Sequence, residues 1–380
     1  MIYKPFQDLK LSALGMGAMR LPIVDGVFTD IDVPAVEKMI DYAVGHGVNY
    51  FDTAYGYHDG RSEGVMGRVL SAYPRDSFYL ADKFPGYDLA NIPKVEEIFE
   101  EQLRRCGVTY FDFYLFHNVC EMNIDAYLDR QYGIYDYLLR QKAEGRIRHL
   151  GFSVHGSYDV MQRFLDAYGE SMEFGQVQLN YIDWTFQNAE AKVKRLGELG
   201  IPVWVMEPLR GGKLAALPDE SAAALRKLRP EETVPGWAFR FLQTIPGVTV
   251  TLSGMSNFRQ LCENIRTFET DEPLSAAELQ ALSELAEAMT SQSALPCTAC
   301  RYCTSHCPQQ LDIPDLLALY NEHRFTGGGF LAPMALSALP ADKQPSACIG
   351  CHSCVAVCPQ QLPIPETFAK FAEGLARKKK

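Results

Sequence analysis

No stretch of this 380-residue chain approaches the roughly 18 consecutive apolar residues of a membrane-spanning helix, so no membrane partner is expected. No charged-then-apolar leader opens it, so secretion is not expected either. Basic residues are in deficit, 36 Lys and Arg against 47 Asp and Glu, which leaves a net charge of −11. Phosphate backbones are gripped by basic surfaces, and a nucleic-acid partner is therefore excluded. A Gly-x-Gly-x-x-Gly after a first strand, with an acidic residue at the right distance beyond it, is also missing. Gly15-Met16-Gly17 is only a fragment of that pattern, which disfavours a doubly wound nucleotide fold. Cysteine is scarce along most of the chain: only Cys106, Cys120 and Cys262 precede residue 296, and each reads as a small buried apolar side chain.

The other eight cysteines crowd into the last 85 residues. Cys297, Cys300, Cys303 and Cys307 run into Pro308, and 51 residues later Cys348, Cys351, Cys354 and Cys358 run into Pro359. The spacing C-x2-C-x2-C-x3-C-P is that of bacterial [4Fe–4S] ligands, so two copies imply two clusters. A zinc site would normally present two C-x2-C pairs instead of a triplet and a trailing Cys-Pro. The copies, CTACRYCTSHCPQQLDIP and CIGCHSCVAVCPQQLPIP, share all four cysteines and the P-Q-Q-L-x-I-P that follows. Neither can bury a core alone, so they are expected to pack on each other. In two-cluster ferredoxins the fourth cysteine serves the other cluster. That rule groups Cys297, Cys300, Cys303 and Cys358 in one set and Cys348, Cys351, Cys354 and Cys307 in the other.

Between the runs lies Ile313 to Lys343, with a helical stretch (Asp315–His323), three glycines (Gly327–Gly329) and a second short helix. This insert resembles the helical type of dicluster ferredoxin domain. The shift in cysteine usage puts a domain boundary near Ser291–Pro296, giving residues 1–292 and 293–380. Free thiols and oxygen-sensitive clusters point to a reducing cytoplasm, in an anaerobic or microaerobic bacterium. The closing Arg377-Lys378-Lys379-Lys380 reads as a solvated tail.

From residue 10 to 270, short apolar runs alternate with helical stretches. Strands are expected at Gly15–Leu21, Tyr50–Thr53, Phe78–Lys83, Phe113–His117, Leu150–Val154, Gly175–Asn180, Pro202–Glu207 and Val248–Ser253. Helices are expected at Val36–Val44, Ser62–Leu70, Pro93–Cys106, Ile124–Glu144, Val160–Ala167, Phe186–Leu199, a broken Ala222–Leu242 and Phe258–Phe268. Eight such units fit a (β/α)8 TIM barrel, followed by the small, mostly α-helical two-[4Fe–4S] domain. Barrel chemistry sits at the carboxyl ends of the strands, here Asp52, Lys83, His117, Ser153, Asn180, Glu207 and Ser253. Polar groups ending apolar strands are costly unless paired, so their convergence marks a site. Taken singly, Asp52 and Lys83 read equally well as a structural ion pair, and His117 as a satisfied core histidine.

Together these residues resemble the aldo-keto reductase superfamily. FDTAYGYHDGRSEGVMG (Phe51–Gly67) is similar to the family's signature, with Tyr57 five residues after Asp52. Lys83 in YLADKFP and His117 in DFYLFHN complete its four-residue catalytic set. GFSVHG (Gly151–Gly156), GQVQLNY (Gly175–Tyr181), EPLRGGKL (Glu207–Leu214) and TLSGMSNFRQLCEN (Thr251–Asn264) extend the likeness over the barrel. It reaches a subgroup with a fused C-terminal ferredoxin-like domain.

The resemblance implies a nicotinamide-dependent oxidoreductase interconverting an aldehyde or ketone and an alcohol. Tyr57 would give the proton, Lys83 would lower its pKa, Asp52 would hold Lys83, and His117 would orient the substrate oxygen. Tyr55 stands two residues from the expected spacing and reads as packing. Ser153 and Gln176 match carboxamide-binding positions, although Val154 or His155 stands where asparagine is common. Met206 replaces the aromatic residue that often stacks on the nicotinamide. The same resemblance assigns Gly17, Met19, Leu209, Arg210 and Gly211 to the cofactor, and Ser253, Gly254, Met255, Ser256, Gln260, Glu263 and Asn264 to an adenosine-phosphate clasp. Gly254 and Gln260 stand where many relatives carry basic residues, with Arg259 as a partial substitute. NADP(H) is favoured over NAD(H).

The alternative function is electron exchange with ferredoxin or another redox partner. Hydride carries two electrons and a [4Fe–4S] cluster passes one, so this route calls for a converter such as a flavin. A catalytically dead barrel is disfavoured, because all four residues of the set are present. Substrate choice would lie in the loops Asp88–Ile92, Val119–Tyr132 and Asp183–Asn188, with Tyr87, Tyr181 and Trp184 suggesting an aromatic lining.

Overall fold

The computed structural model describes residues 1–291 and 294–377. The expected boundary between residues 292 and 293, and residues 378–380 of the basic tail, lie outside the described residues. The chain divides into two compact units, Met1–Ser283 and Glu284–Lys380.

The first unit opens with an antiparallel hairpin, β1 (Tyr3–Phe6) and β2 (Leu9–Ser12), turning through Gln7 at φ +52°. Eight parallel strands follow: β3 (Leu14–Gly17), β4 (Tyr50–Asp52), β5 (Tyr79–Phe84), β6 (Phe111–Val119), β7 (Ile147–Val154), β8 (Phe174–Gln178), β9 (Val203–Met206) and β10 (Val248–Ser253). They close in chain order, with β10 pairing with both β9 and β3. Each overlaps its expected strand, so the TIM barrel stands. The hairpin was not expected. Its Phe6, 3% exposed, packs edge-on to Trp204 with ring centroids 5.1 Å apart, and joins Tyr50, Phe113 and Phe174 near the amino ends of their strands. The hairpin thus plugs the end of the barrel remote from the strands' carboxyl termini.

Several expected helices are shorter than their apolar pattern suggests, for local reasons. The stretch over Ile124–Glu144 splits into Ile124–Leu128 and Ile134–Ala143, because Asp129 caps the Gln131 amide and Gly133 takes φ +63°. Phe186–Leu199 splits at Asn188, φ +52°, leaving Asp183–Phe186 and Ala189–Glu198. Asp219–Leu228 and Val234–Thr244 are separated at Pro230, and Thr233 caps the second helix by accepting from the Gly236 amide at 3.0 Å. The expected first strand stops at Gly17 and turns into a 3-10 segment, Ala18–Arg20. One further helix, Ala276–Ser291, was not expected.

The second unit is helical, with helices Ile313–Thr326, Leu331–Ser337 and Ile364–Arg377. The sequence repeat appears as a structural repeat. Leu311 and Ile313 from the first copy and Leu362 and Ile364 from the second are all buried in one core. Positive φ recurs at matching positions, in Ala299 and Gly350, Arg301 and His352, and Gln310 and Gln361. Both cysteine loops therefore share the same unusual left-handed backbone at matching positions.

Candidate functional site

Asp52 ends β4, Lys83 lies in β5 and His117 in β6, so parallel register brings all three to the same mouth of the barrel. His117 sits at an irregularity: the β6–β7 register shifts between Phe116 and Val119, and Asn118 takes φ +57°. A bulge of this kind re-aims a side chain. Tyr57 comes from the loop after β4, a chain of tight turns in which the Tyr57 amide donates to the Ala54 carbonyl at 3.1 Å and the Ser62 amide donates to the Tyr57 carbonyl at 3.2 Å. Lys83 Nζ donates to Asp52 Oδ1 at 2.6 Å and to the Thr53 carbonyl at 2.8 Å, and it stands 5.1 Å from the Tyr57 ring centroid. The His117 ring meets Tyr57 edge-on at 6.0 Å and Tyr87 edge-on at 5.1 Å. Gly56 makes room for Tyr87, whose hydroxyl would lie 2.2 Å from a Cβ at that position. Tyr55 is held elsewhere, its ring 4.4 Å beneath the Arg105 guanidinium, which also pairs with Glu63 at 2.9 Å.

Burial and charge set the protonation states. Burial opposes charge on Lys83, but Asp52 and Tyr57 outweigh it and hold the ammonium above its ordinary range. Burial pushes the Asp52 carboxyl up while Lys83 pulls it back, and the 2.6 Å contact keeps the pair ionised. For Tyr57, burial lifts the hydroxyl above its usual value and Lys83 only partly offsets this. The expected net lowering by Lys83 is therefore reversed: in a dry site, loss of phenolate hydration exceeds the gain from one cation already committed to a carboxylate. Burial, then Lys83 and His155, hold His117 far below its normal range, as a neutral imidazole.

Above this group opens a cleft of about 290 Å³, to which Asp52, Tyr57 and His117 contribute while Lys83 lies behind them. Gly17 and Met19 line it from the first loop, Gln176 and Met206 from β8 and β9, and Leu209 and Gly211 from the loop beyond. Ser253, Gly254, Met255 and Ser256, with Gln260, Glu263 and Asn264, line its far end. There the Ser256 amide donates to Gln260 Oε1 at 2.8 Å, and Asn264 Nδ2 donates to Ser253 Oγ at 3.1 Å.

Two expected cofactor residues are not on this surface. Ser153 is fully buried, its hydroxyl accepting from the Asn118 amide at 2.8 Å. Arg210 is buried against Asp183, with Nη2 at 2.9 Å from Oδ1. Arg259 points outward, 83% exposed, 3.6 Å from Glu263. Arg20, Pro208, Gly212 and Pro235 line the cleft without having been expected to. Arg20 adjoined the recognised Gly17 and Met19, but Pro235 belongs to a helix that no local motif connects to the site.

The cleft suits an amide-bearing, polar ligand. Asp52 Oδ2, His117 Nδ1 and Gln176 Oε1 are buried atoms of its walls without a hydrogen-bond partner among the described residues. Such groups are costly unless a ligand or water satisfies them.

In the second unit, Cys297, Cys300, Cys303 and Cys358 line one cavity, and Cys307, Cys348, Cys351 and Cys354 line another. In each, three cysteines come from one run and the fourth from the other. No group of three or more His, Cys, Asp or Glu among the described residues closes tightly enough for a single metal ion. Three cysteines of one run with the fourth of the other is the ligand arrangement of two-cluster ferredoxins, in which each of the four irons of a cluster takes one thiolate.

Comparison with known proteins agrees with both units. The model of the aldo/keto reductase family matches residues 13–287, and that of the 4Fe-4S dicluster domain matches residues 296–363. The chain is 28% identical over 218 residues to "Probable aldo-keto reductase 1" of Glycine max, covering 54% of this chain and 58% of that protein. It is 25% identical over 328 residues to the "NADH-specific methylglyoxal reductase" of Escherichia coli, covering 74% of this chain and 97% of that protein. Among solved structures, aldo-keto reductase AKR11C1 from Bacillus halodurans in its holo form superposes with a TM-score of 0.62 at 25% identity, covering 76% of this chain and 97% of that one. An aldo-keto reductase from Klebsiella pneumoniae in complex with NADPH gives 0.58 at 21% identity, covering 75% and 96%. The closed barrel, the residues gathered at its mouth and the family match over most of the chain lead to one assignment: this protein belongs to the aldo/keto reductase family of NAD(P)H-dependent oxidoreductases and carries a C-terminal 4Fe-4S dicluster domain.

Proposed function

We propose that the barrel, within residues 1–292, reduces an aldehyde or ketone with Tyr57 as proton donor. The observation that carries this is the Asp52–Lys83 ion pair set 5.1 Å under the Tyr57 ring, in a site where burial keeps the phenol protonated. Bound NAD(P)H supplies hydride. A protonated Tyr57 hydroxyl neutralises the negative charge that builds on the carbonyl oxygen as hydride reaches the carbon. Neutral His117 orients that oxygen through a ring N–H, and Lys83 takes up the charge left on the phenolate. Gln176 would offer its unpaired carbonyl to the carboxamide of the nicotinamide, and Met206 would pack on the ring. The cofactor is taken as NADP(H) in preference to NAD(H); the test is the ratio of kcat/KM for the two.

A second reading has residues 293–380 exchange electrons with ferredoxin or a similar partner. Cys300 and Cys351, one from each quartet, are exposed, which favours access from outside. A pair of [4Fe–4S] clusters supplies one-electron transfer, so coupling to hydride would require a bound flavin. Oxygen-sensitive clusters, together with Cys106, Cys120 and Cys262 outside the two quartets, favour a reducing cytoplasm and an anaerobic source.

An anaerobic absorption spectrum before and after NADPH separates the readings. Visible absorption that stays unbleached by NADPH while dithionite bleaches it supports the plain reductase. Bleaching by NADPH that depends on bound flavin supports the relay.

A further inference from the structure

The two copies of the cysteine repeat are offset by 51 residues, from Cys297 to Cys348, so a wall position of one cavity has a counterpart in the other. The cysteines themselves do not separate the cavities. Cys297 and Cys348 are half-buried, Cys300 and Cys351 exposed, Cys303 and Cys354 buried, and Cys307 and Cys358 half-buried. Pro314 and Pro365, Gln360 and Gln309, and Leu362 and Leu311 are also matched in kind. The differences fall elsewhere on the wall. The cavity of Cys297, Cys300, Cys303 and Cys358 has Thr298, Arg301 and Leu317, where that of Cys307, Cys348, Cys351 and Cys354 has Ile349, His352 and Phe368.

These differences share one sign. Arg301 and His352 leave the same left-handed backbone, at φ +63° and +58°, so the two side chains start from matching places. Arginine carries a fixed positive charge at any working pH, whereas histidine does not. Arg301 is held by Asp312 at 2.9 Å and Asp315 at 3.2 Å, and neither carboxylate belongs to the cavity wall. His352 faces Glu366, the counterpart of Asp315, at 3.8 Å. Thr298 puts a hydroxyl where Ile349 puts methyl groups, and Phe368 presents a larger apolar surface than Leu317. Lys343, whose Nζ donates to the Gln309 carbonyl at 3.0 Å, does not line the second cavity.

Reduction adds one negative charge to a cluster already bound by thiolates. A cation and a hydroxyl in the wall stabilise that charge, and an apolar wall opposes it, since charge, hydrogen bonding and solvent access set cluster potentials. With the cysteines equally exposed, the wall decides. We propose that the cluster held by Cys297, Cys300, Cys303 and Cys358 has the higher reduction potential and is the electron acceptor of the pair. A low-potential one-electron donor outside the chain, of the ferredoxin class, reduces the domain. One electron on the cluster of Cys348, Cys351, Cys354 and Cys307 then passes to the cluster of Cys297, and no bond forms or breaks. The proposal rests on the reading that each quartet holds a [4Fe–4S] cluster.

The test is a potentiometric titration of the full cluster-containing chain under anaerobic conditions, with reduced clusters counted as spins by electron paramagnetic resonance. The wild-type chain should titrate in two separate one-electron steps. Arg301→Gln should lower the reduced-to-oxidised ratio of the upper step by about ten-fold, which is about 59 mV for one electron, and leave the lower step in place. His352→Arg should raise the lower step. The Arg301 side chain is 54% exposed, so the fold and the iron content should survive its replacement. A single step for both clusters in the wild-type chain would overturn the proposal. So would an Arg301→Gln variant that shifts the lower step or neither step, or a His352→Arg variant that fails to raise the lower one. Iron near four per chain would instead overturn the two-cluster reading itself.

Discussion

Lys83 and Asp52 form an ion pair of 2.6 Å from which solvent is all but excluded, with side-chain exposures of 0% and 4%. Removing one member of such a pair leaves the other charged and dry. Lys83→Met is therefore expected to destabilise the barrel by about 3–5 kcal/mol, and Lys83→Met with Asp52→Asn by clearly less. Urea unfolding of the two variants measures this. Equal losses in both would show that the pair contributes nothing beyond packing.

Tyr57→Phe should lower kcat for carbonyl reduction by about two to four orders of magnitude, the usual worth of a positioned acid. Dinucleotide affinity should persist, because the hydroxyl is assigned to substrate. Tyr55→Phe should stay near wild-type activity, since its ring serves Arg105. Steady-state kinetics of both variants decides the matter; an inactive Tyr55→Phe beside an active Tyr57→Phe would move the acid by two residues.

The pH profiles should be asymmetric. Tyr57 is held above its ordinary value, so the protonated form needed for reduction persists through neutrality and is lost only as pH rises through that raised value. Alcohol oxidation needs the phenolate and should climb with pH toward and past the usual tyrosine value of about 10. His117 is depressed and stays neutral above its lowered value, so reduction should show no limb near the ordinary histidine value of about 6.5. Measured kcat/KM in both directions tests this, and oxidation that saturates near neutrality contradicts the assignment.

The two cavities of the second unit predict crossed ligation. Anaerobic preparations should hold about eight iron and eight sulfide per chain, as two [4Fe–4S] clusters demand. Cys307→Ser should damage the cluster served by Cys348, Cys351 and Cys354, with which it shares a cavity. Electron paramagnetic resonance of the reduced variant reads the outcome. Loss of only the cluster held by Cys297, Cys300 and Cys303, or stoichiometric zinc, would falsify this ligation scheme.

Much of the architecture was legible before any tertiary contact was known. Eight apolar runs separated by helical stretches encode a parallel barrel because each parallel strand needs a crossover, and the crossover must bury its own apolar face. The cysteine spacing likewise encodes cluster ligands, since it reflects how a short loop curls around a centre, and the repeat implied that the two copies pack on each other, as the shared core of Leu311, Ile313, Leu362 and Ile364 bears out. Asp52, Lys83 and His117 were visible as polar residues ending apolar strands, and Tyr57 through the loop signature.

Other features depended on distance in space. The hairpin at residues 3–12 lacks a strong alternating pattern, and its purpose appears only when Phe6 meets Trp204, about 200 residues away. Ser153 carries a hydroxyl at a suitable strand end, yet the bulge at Asn118 brings an amide to it and turns it into the wall. Arg210 belongs to a matching loop, but Asp183 holds it inside. The Tyr57 equilibrium could not be read from its neighbours in sequence, because the sign depends on how much water the fold removes against how much charge Lys83 has left to give. Local sequence determined the elements and the chemistry they carry. Only tertiary structure decided which polar groups satisfy one another and which are left facing the cleft, because desolvation and pairing are properties of the packed interior.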